Sequence, residues 1–169
     1  MPGKRQIIVH EPIPSRAATC KDPVLQVGND QMPVLDPSGS RKRLFNPENR
    51  EGAKAGDILH VKFKSGETFS GVIMSVKQRG VDTSVLLRNH LTRVGAEMQI
   101  KIFSPTVQSM EVVQKTQKRK RRARLYYLRH PKHDVGSVDN VVNQYLRRRA
   151  ILTGGEGKSG SRNQSVNKK

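Results

Sequence analysis

Between Lys118 and Arg129 the chain reads Lys-Arg-Lys-Arg-Arg-Ala-Arg-Leu-Tyr-Tyr-Leu-Arg, six cations in seven residues followed by an apolar and aromatic cluster. Guanidinium groups make forked hydrogen bonds to phosphate oxygens, ammonium groups supply compact point charges, and each phosphate neutralised releases condensed counterions. That is chemistry suited to a polyanion backbone. A solvated charge run and a nuclear import signal are the plainer readings of such a stretch, and the adjacent tyrosines weigh against both. Tyr126 and Tyr127 have two readings of their own: stacking on unpaired bases, or packing with Leu125 and Leu128 against the rest of the fold. With Lys115 and Lys132 on the flanks, the candidate set for binding nucleic acid is Lys115, Lys118, Arg119, Lys120, Arg121, Arg122, Arg124, Tyr126, Tyr127, Arg129 and Lys132.

The rest of the charge is distributed differently. Residues 1–55 carry nine basic and six acidic side chains, 56–113 seven and five, 114–132 nine and none, and 133–169 seven and three. Half of the net charge of +18 therefore lies in nineteen residues, which marks a local device rather than a general aid to solubility. Other chemistries are poorly supported. Gly157-Lys158-Ser159 has the end of a phosphate-binding loop, but Leu152 stands where the pattern needs glycine and no strand precedes it. His10, His60, His90, His130 and His133 are scattered, and only Asp134 beside His130 and His133 offers a further ligand, so no metal and no cofactor is expected. Cys20 is the single cysteine, which excludes an internal disulfide and a thiolate zinc cluster. No Ser-His-Asp pattern stands out, and the expectation is a protein that is not an enzyme. No run approaches the ~18 apolar residues of a membrane span, so no membrane partner is expected.

The elements that must hold the basic strip are read from periodicity. Apolar residues make up 34% of the chain and aromatics 4%, enough for one modest core. In Glu97-Met98-Gln99-Ile100-Lys101-Ile102 the alternation puts Met98, Ile100 and Ile102 on one buried face. Leu59, Val61 and Phe63 alternate likewise, and Ser65-Gly66-Glu67 turns into a second run from Thr68. There Phe69 is out of phase with Val72, Met74 and Val76, and a bulge at Gly71 would reset the register. After the turn Arg79-Gly80-Val81-Asp82 come a third run, Thr83 to His90, and after Ser104-Pro105 a fifth, Val107 to Val113. Five short strands in 56–113 predict a small closed antiparallel barrel. Residues 1–55 hold seven of nine prolines and no persistent period, which predicts an extended arm. Beyond the basic segment 114–132, the extension 133–169 is read as a short helix and a flexible tail. Val138, Val141, Val142, Tyr145 and Leu146 repeat helically, with Ser137 as N-cap and Arg147 to Arg149 at the C-terminal end of the dipole. The tail beyond Gly154 is Gly, Ser, Asn and Lys, and it and the arm are expected to gain order mainly from RNA or neighbours.

Gly56-Asp57, Phe69-Ser70-Gly71-Val72-Ile73, Arg79-Gly80, Leu87-Arg88, Ser104-Pro105 and Arg122-Ala123-Arg124-Leu125-Tyr126-Tyr127-Leu128-Arg129 occur in one order. This ordered set, over roughly residues 55–130, resembles the bacterial-type large ribosomal subunit protein nineteen family. The resemblance implies a mainly β protein, an SH3-like antiparallel barrel bound to large-subunit ribosomal RNA near the face that meets the small subunit. It further implies a possible small-subunit contact, protein fourteen as a neighbour among other ribosomal proteins, and a structural, non-catalytic role. Arg79 and Arg88 enter the candidate RNA-binding set through these motifs. The long proline-rich arm and the stretch from His133-Asp134-Val135-Gly136 to Arg149 depart from the compact bacterial pattern and resemble mitochondrial members, which implies residence in the matrix, in the mitochondrial ribosome. Residues 1–16, with Glu11 and three prolines, make a poor amphipathic presequence. Two further classes use similar parts: a transcription-associated nucleic-acid-binding protein with a small barrel, and a peptide-binding barrel, for which four Phe, three Tyr and no Trp supply little aromatic groove.

Overall fold

A computed structural model describes residues 8–13, 15, 17 and 20–154. The tail beyond Gly154 and the first seven residues lie outside it. Helices α1 (Pro23–Leu35) and α2 (Ser40–Leu44) precede five strands: β1 (Ile58–Phe63), β2 (Thr68–Lys77), β3 (Ser84–Leu91), β4 (Val94–Lys101) and β5 (Val107–Gln114). Two single-turn 3₁₀ helices, Tyr126–Arg129 and Pro131–His133, lead into α3 (Asp139–Gly154). None of the helices is long and apolar enough to cross a membrane.

The strands form one antiparallel sheet in the order β4-β3-β2-β1-β5. It is barrel-like, wrapping a core of Leu59, Val61, Phe69, Ile73, Val85, Leu87, Ile100, Ile102 and Val107. The expected closure is not seen among the described residues: the hydrogen-bond ladder ends on β4 and β5. Residues ahead of β1 cover the core instead. Phe45 and Ala53 are buried in it, and Arg41 donates to the carbonyls of Ile102 (3.1 Å), Ser104 (3.3 Å) and Val107 (2.8 Å).

Three sequence expectations change in detail. The bulge lies at Met74, between the pairs Ile73↔Leu87 and Ser75↔Leu86, so that Ile73 and Val76 both reach the core although three residues apart. Gly71 serves a close approach: a Cβ there would stand 2.8 Å from the Arg88 carbonyl oxygen. Met98 is 38% exposed rather than buried, because β4 is an edge strand whose first half runs past the core.

Val72 and Met74 face the other way, into a second cluster with Leu125, Leu128, Val138 and Val142. The chain after β5 thus folds back over the outer face of the sheet, which explains why Gly71 to Ser75 are all buried in succession. The β3–β4 turn consists of Thr92 (φ 49°) and Arg93 (φ 68°), a two-residue connection in left-handed backbone without a glycine to mark it.

The segment read as an extended arm holds α1 and α2. Pro23 occupies the first turn of α1, where its missing N–H costs nothing, and Pro33 and Gly28 lie inside the helix. None of its residues is fully buried, and only Met32 and Leu35 pack against the core. In α3 the expected face is partly confirmed: Val138 and Val142 are buried, Val141 and Tyr145 half-buried, and Leu146 37% exposed. The helix begins one residue after Val138, whose carbonyl accepts from Val141 and Val142, while Ser137 Oγ accepts the Asp139 N–H from just outside. Because α3 runs on to Gly154, Arg147 to Arg149 sit before its last turn.

Candidate nucleic-acid interface

The strip from Thr116 to Arg124 has no regular hydrogen-bonded structure, and two anchors hold it. The first is Asp57, fully buried just before β1. Its carboxylate accepts from the Lys54 N–H (2.9 Å), the Thr116 N–H (2.9 Å) and Nη1 of Arg119 (2.9 and 3.0 Å to the two oxygens). Gly56 beside it has φ 100°, and a Cβ there would meet Thr116 Oγ1 at 3.0 Å, so the Gly-Asp pair admits the strip as well as binding it. The second anchor is Leu125, with no exposed surface, whose N–H donates to the Met74 carbonyl (2.9 Å). The bulge that frees the Met74 position from the regular ladder thereby serves to dock the strip.

Between the anchors Lys118, Lys120, Arg121, Arg122 and Arg124 are exposed, and none forms an ion pair among the described residues. Lys132 is exposed as well. The other candidates have protein partners. Lys115 pairs with Glu51, which holds that carboxyl below its usual range. Arg129 forks onto Glu97 (2.8 and 2.7 Å) with its guanidinium carbon 5.0 Å from the Tyr126 ring centre. Arg88 is largely buried and bridges Glu97 (2.9 Å) and Asp134 (2.6 Å), and Asp134 also meets Nε2 of His90 at 2.6 Å. The Arg88 hydrogen bond, reinforced by His90, holds the Asp134 carboxyl well below the ordinary carboxylate range, and the Arg129 hydrogen bond lowers the pKa of Glu97. Arg79 is exposed at the β2–β3 turn beside α1, apart from the strip. Tyr127 is half-buried against the outer cluster, its ring edge-on to His133 at 5.6 Å, whereas Tyr126 is 38% exposed.

Sequence reasoning missed the carboxylates that sort these cations. In the sequence Asp57 stands out only as part of a motif and Asp134 only as a weak metal ligand; neither pairing has a sequence signal, because the partners are 62 and 46 residues away. His60, buried with its Nδ1 2.6 Å from Ser70 Oγ, is a structural group whose pKa is lowered by burial.

A small cationic sheet protein that offers a fixed row of unpaired cations, rather than reactive groups, is the class defined by this arrangement. Residues 42–139 match the family described as ribosomal protein L19, and the chain belongs to that family. It is similar to the large ribosomal subunit protein bL19m of Neurospora crassa, 41% identical over 147 residues that cover 83% of this chain and 57% of the relative. The large ribosomal subunit protein bL19m of Schizosaccharomyces pombe is 32% identical over 122 residues, 67% of each chain. The large ribosomal subunit protein bL19 of Coprothermobacter proteolyticus is 34% identical over 94 residues, 48% of this chain and 78% of the relative. The longer matches place the chain with the mitochondrial members. It spans less than two thirds of the length of the Neurospora relative.

Proposed function

We propose that this protein is a non-catalytic structural constituent of the large subunit of the mitochondrial ribosome, and that it binds large-subunit ribosomal RNA through Lys118, Lys120, Arg121, Arg122 and Arg124. The observation that carries this reading is the strip itself: five unpaired cations held in place from both ends, by Asp57 and by Leu125. A solvated charge run needs no such anchors. Each exposed cation neutralises a phosphate without first giving up a protein partner, and the anchors reduce the conformational entropy lost on binding. Arg88, Arg119 and Arg129 act from behind, positioning the extension and the strip. The family resemblance adds the finer placement: an SH3-like barrel near the face that meets the small subunit, beside protein fourteen.

The test is binding to a large-subunit RNA fragment across a salt series. Changing the five free cations together to Gln should flatten the slope of log K against log salt by about 3.5–4.5 units, at ~0.7–0.9 for each phosphate no longer neutralised. At the high-salt end of the series, where repulsion within the strip is screened, thermal unfolding should barely move, since each surface change away from special features stays within about 0.5 kcal/mol. An unchanged slope with the fold intact would refute the assignment of the strip.

A further inference from the structure

Two clefts border the strip and share Lys120. The one between the strip and the outer side of β1 and β2 encloses about 470 Å³. Its floor is apolar: the half-buried Ile58 and the exposed Val135 lie over the buried Val72, Leu125 and Leu128. Its rim is polar, with Gln114, Gln117, Lys118 and Lys120. Lys115 and Arg119 in the same run are taken by Glu51 and Asp57, while these four side chains make no hydrogen bond or ion pair among the described residues.

Each simple occupant matches only half of this lining. A phosphodiester satisfies the ammonium groups and leaves the apolar floor bare. An aliphatic side chain covers the floor and leaves two amides and two ammonium groups unanswered. A nucleobase within an RNA chain has apolar faces, a hydrogen-bonding edge and a phosphate on either side.

We infer that this cleft takes one unpaired nucleobase of the bound RNA, its face against Ile58, Val135 and the Tyr127 wall, its edge toward Gln114 and Gln117, and its flanking phosphates at Lys118 and Lys120. The inference rests on the RNA-binding reading above and deepens it: the strip holds the backbone, and the cleft selects a place where a base is free to leave the helix. Tyr127, which lines the same cleft, is held by His133 and forms part of its wall.

The experiment titrates the full chain with two RNA hairpins that differ at one position, a bulged adenosine in one and an abasic ribose in the other, so that the phosphates are equal in number. The adenosine hairpin should bind about tenfold or more tightly, the lower part of the range for one stacked base, with parallel salt slopes. Val135 lines the cleft and is 54% exposed, so Val135→Trp fills the space from outside the core. It should abolish the preference while leaving binding to the abasic hairpin. Gln117→Ala, at another exposed position, should lower the preference severalfold and serves if the tryptophan variant fails to fold. Equal affinity of the unaltered protein for both hairpins overturns the base cleft and leaves phosphate binding standing. No salt-dependent binding to either overturns both readings, and a preference that survives both substitutions overturns the location.

Discussion

Asp134 shows how single carboxylates decide which cations are structural. It accepts from Arg88 and His90, and through Arg88 it is joined to Glu97 and Arg129, so the start of the C-terminal extension is tied to β3 and β4. Its folded pKa lies below the unfolded value of ~3.9, so the stabilisation is complete above that value and is lost as pH falls toward the folded one. Asp134→Asn should therefore cost about 1–2 kcal/mol at pH 7, a figure that allows for partial exposure. The two proteins should converge in stability toward pH 2, and thermal unfolding at pH 7, 4 and 2 measures this. A difference that persists undiminished in acid would mean that the charge on Asp134 contributes little. At this scale the sequence is mute, for a lone Asp after a His gives no sign of an arginine 46 residues earlier.

At the scale of elements, the basic strip behaves as a strap with two fastenings. Leu125 is an ordinary core anchor, but Asp57 is a buried charge whose satisfaction depends on Thr116, Arg119 and the Lys54 backbone together. Asp57→Asn keeps the volume and removes the charge, placing an amide NH₂ among three donors. It should destabilise the protein by about 2 kcal/mol or more, since hydrogen bonds to charged groups contribute ~1.5–3 kcal/mol and a buried donor is left unmet. It should also weaken RNA binding while leaving the five exposed cations in place, an effect readable as lower affinity with a salt slope close to the original. A full loss of slope would instead mean that the strip has come away from the sheet. The strip was legible in the sequence from its charge density and its order of motifs. Its fastening was not, because the Gly56-Asp57 pair reads equally well as a turn.

Across the whole molecule the charge is uneven, with +9 of the net +18 in residues 114–132. Among the described residues the carboxylates neutralise Arg88 on the sheet, Arg149 on α3, Arg129 after the strip and Arg119 within it, yet leave most of the strip facing solvent. Like charges crowded there repel one another within a Debye length of ~8–10 Å at moderate salt. The free protein should therefore become more thermally stable as salt rises from about 0.02 to 0.3 M, where that length shrinks from roughly 20 to 6 Å. The variant with five Gln should be more stable at low salt and respond less. A melting temperature that falls with salt in the unaltered protein would show that ion pairs outweigh repulsion.

The five strands, the place of the basic strip and the family are all legible in the amino-acid sequence. Alternation in Leu59-Val61 and Val85-Leu87 has one physical solution, a sheet with a buried face, and a run of nine cations without a carboxylate has to lie on the surface. The rest depends on contacts between segments far apart in the chain. The prolines of residues 1–55, Pro23 and Pro33 among them, read as breakers, yet α1 forms with Pro23 in its first turn and Met32 and Leu35 against the core. Register is a matter between strands, so the bulge fell at Met74 and not at the glycine that looked suited to it. Above all, the division of the cations into structural and free depends on carboxylates distant in the chain, and only the folding of the segment after β5 onto the outer face of the sheet brings them within hydrogen-bonding distance.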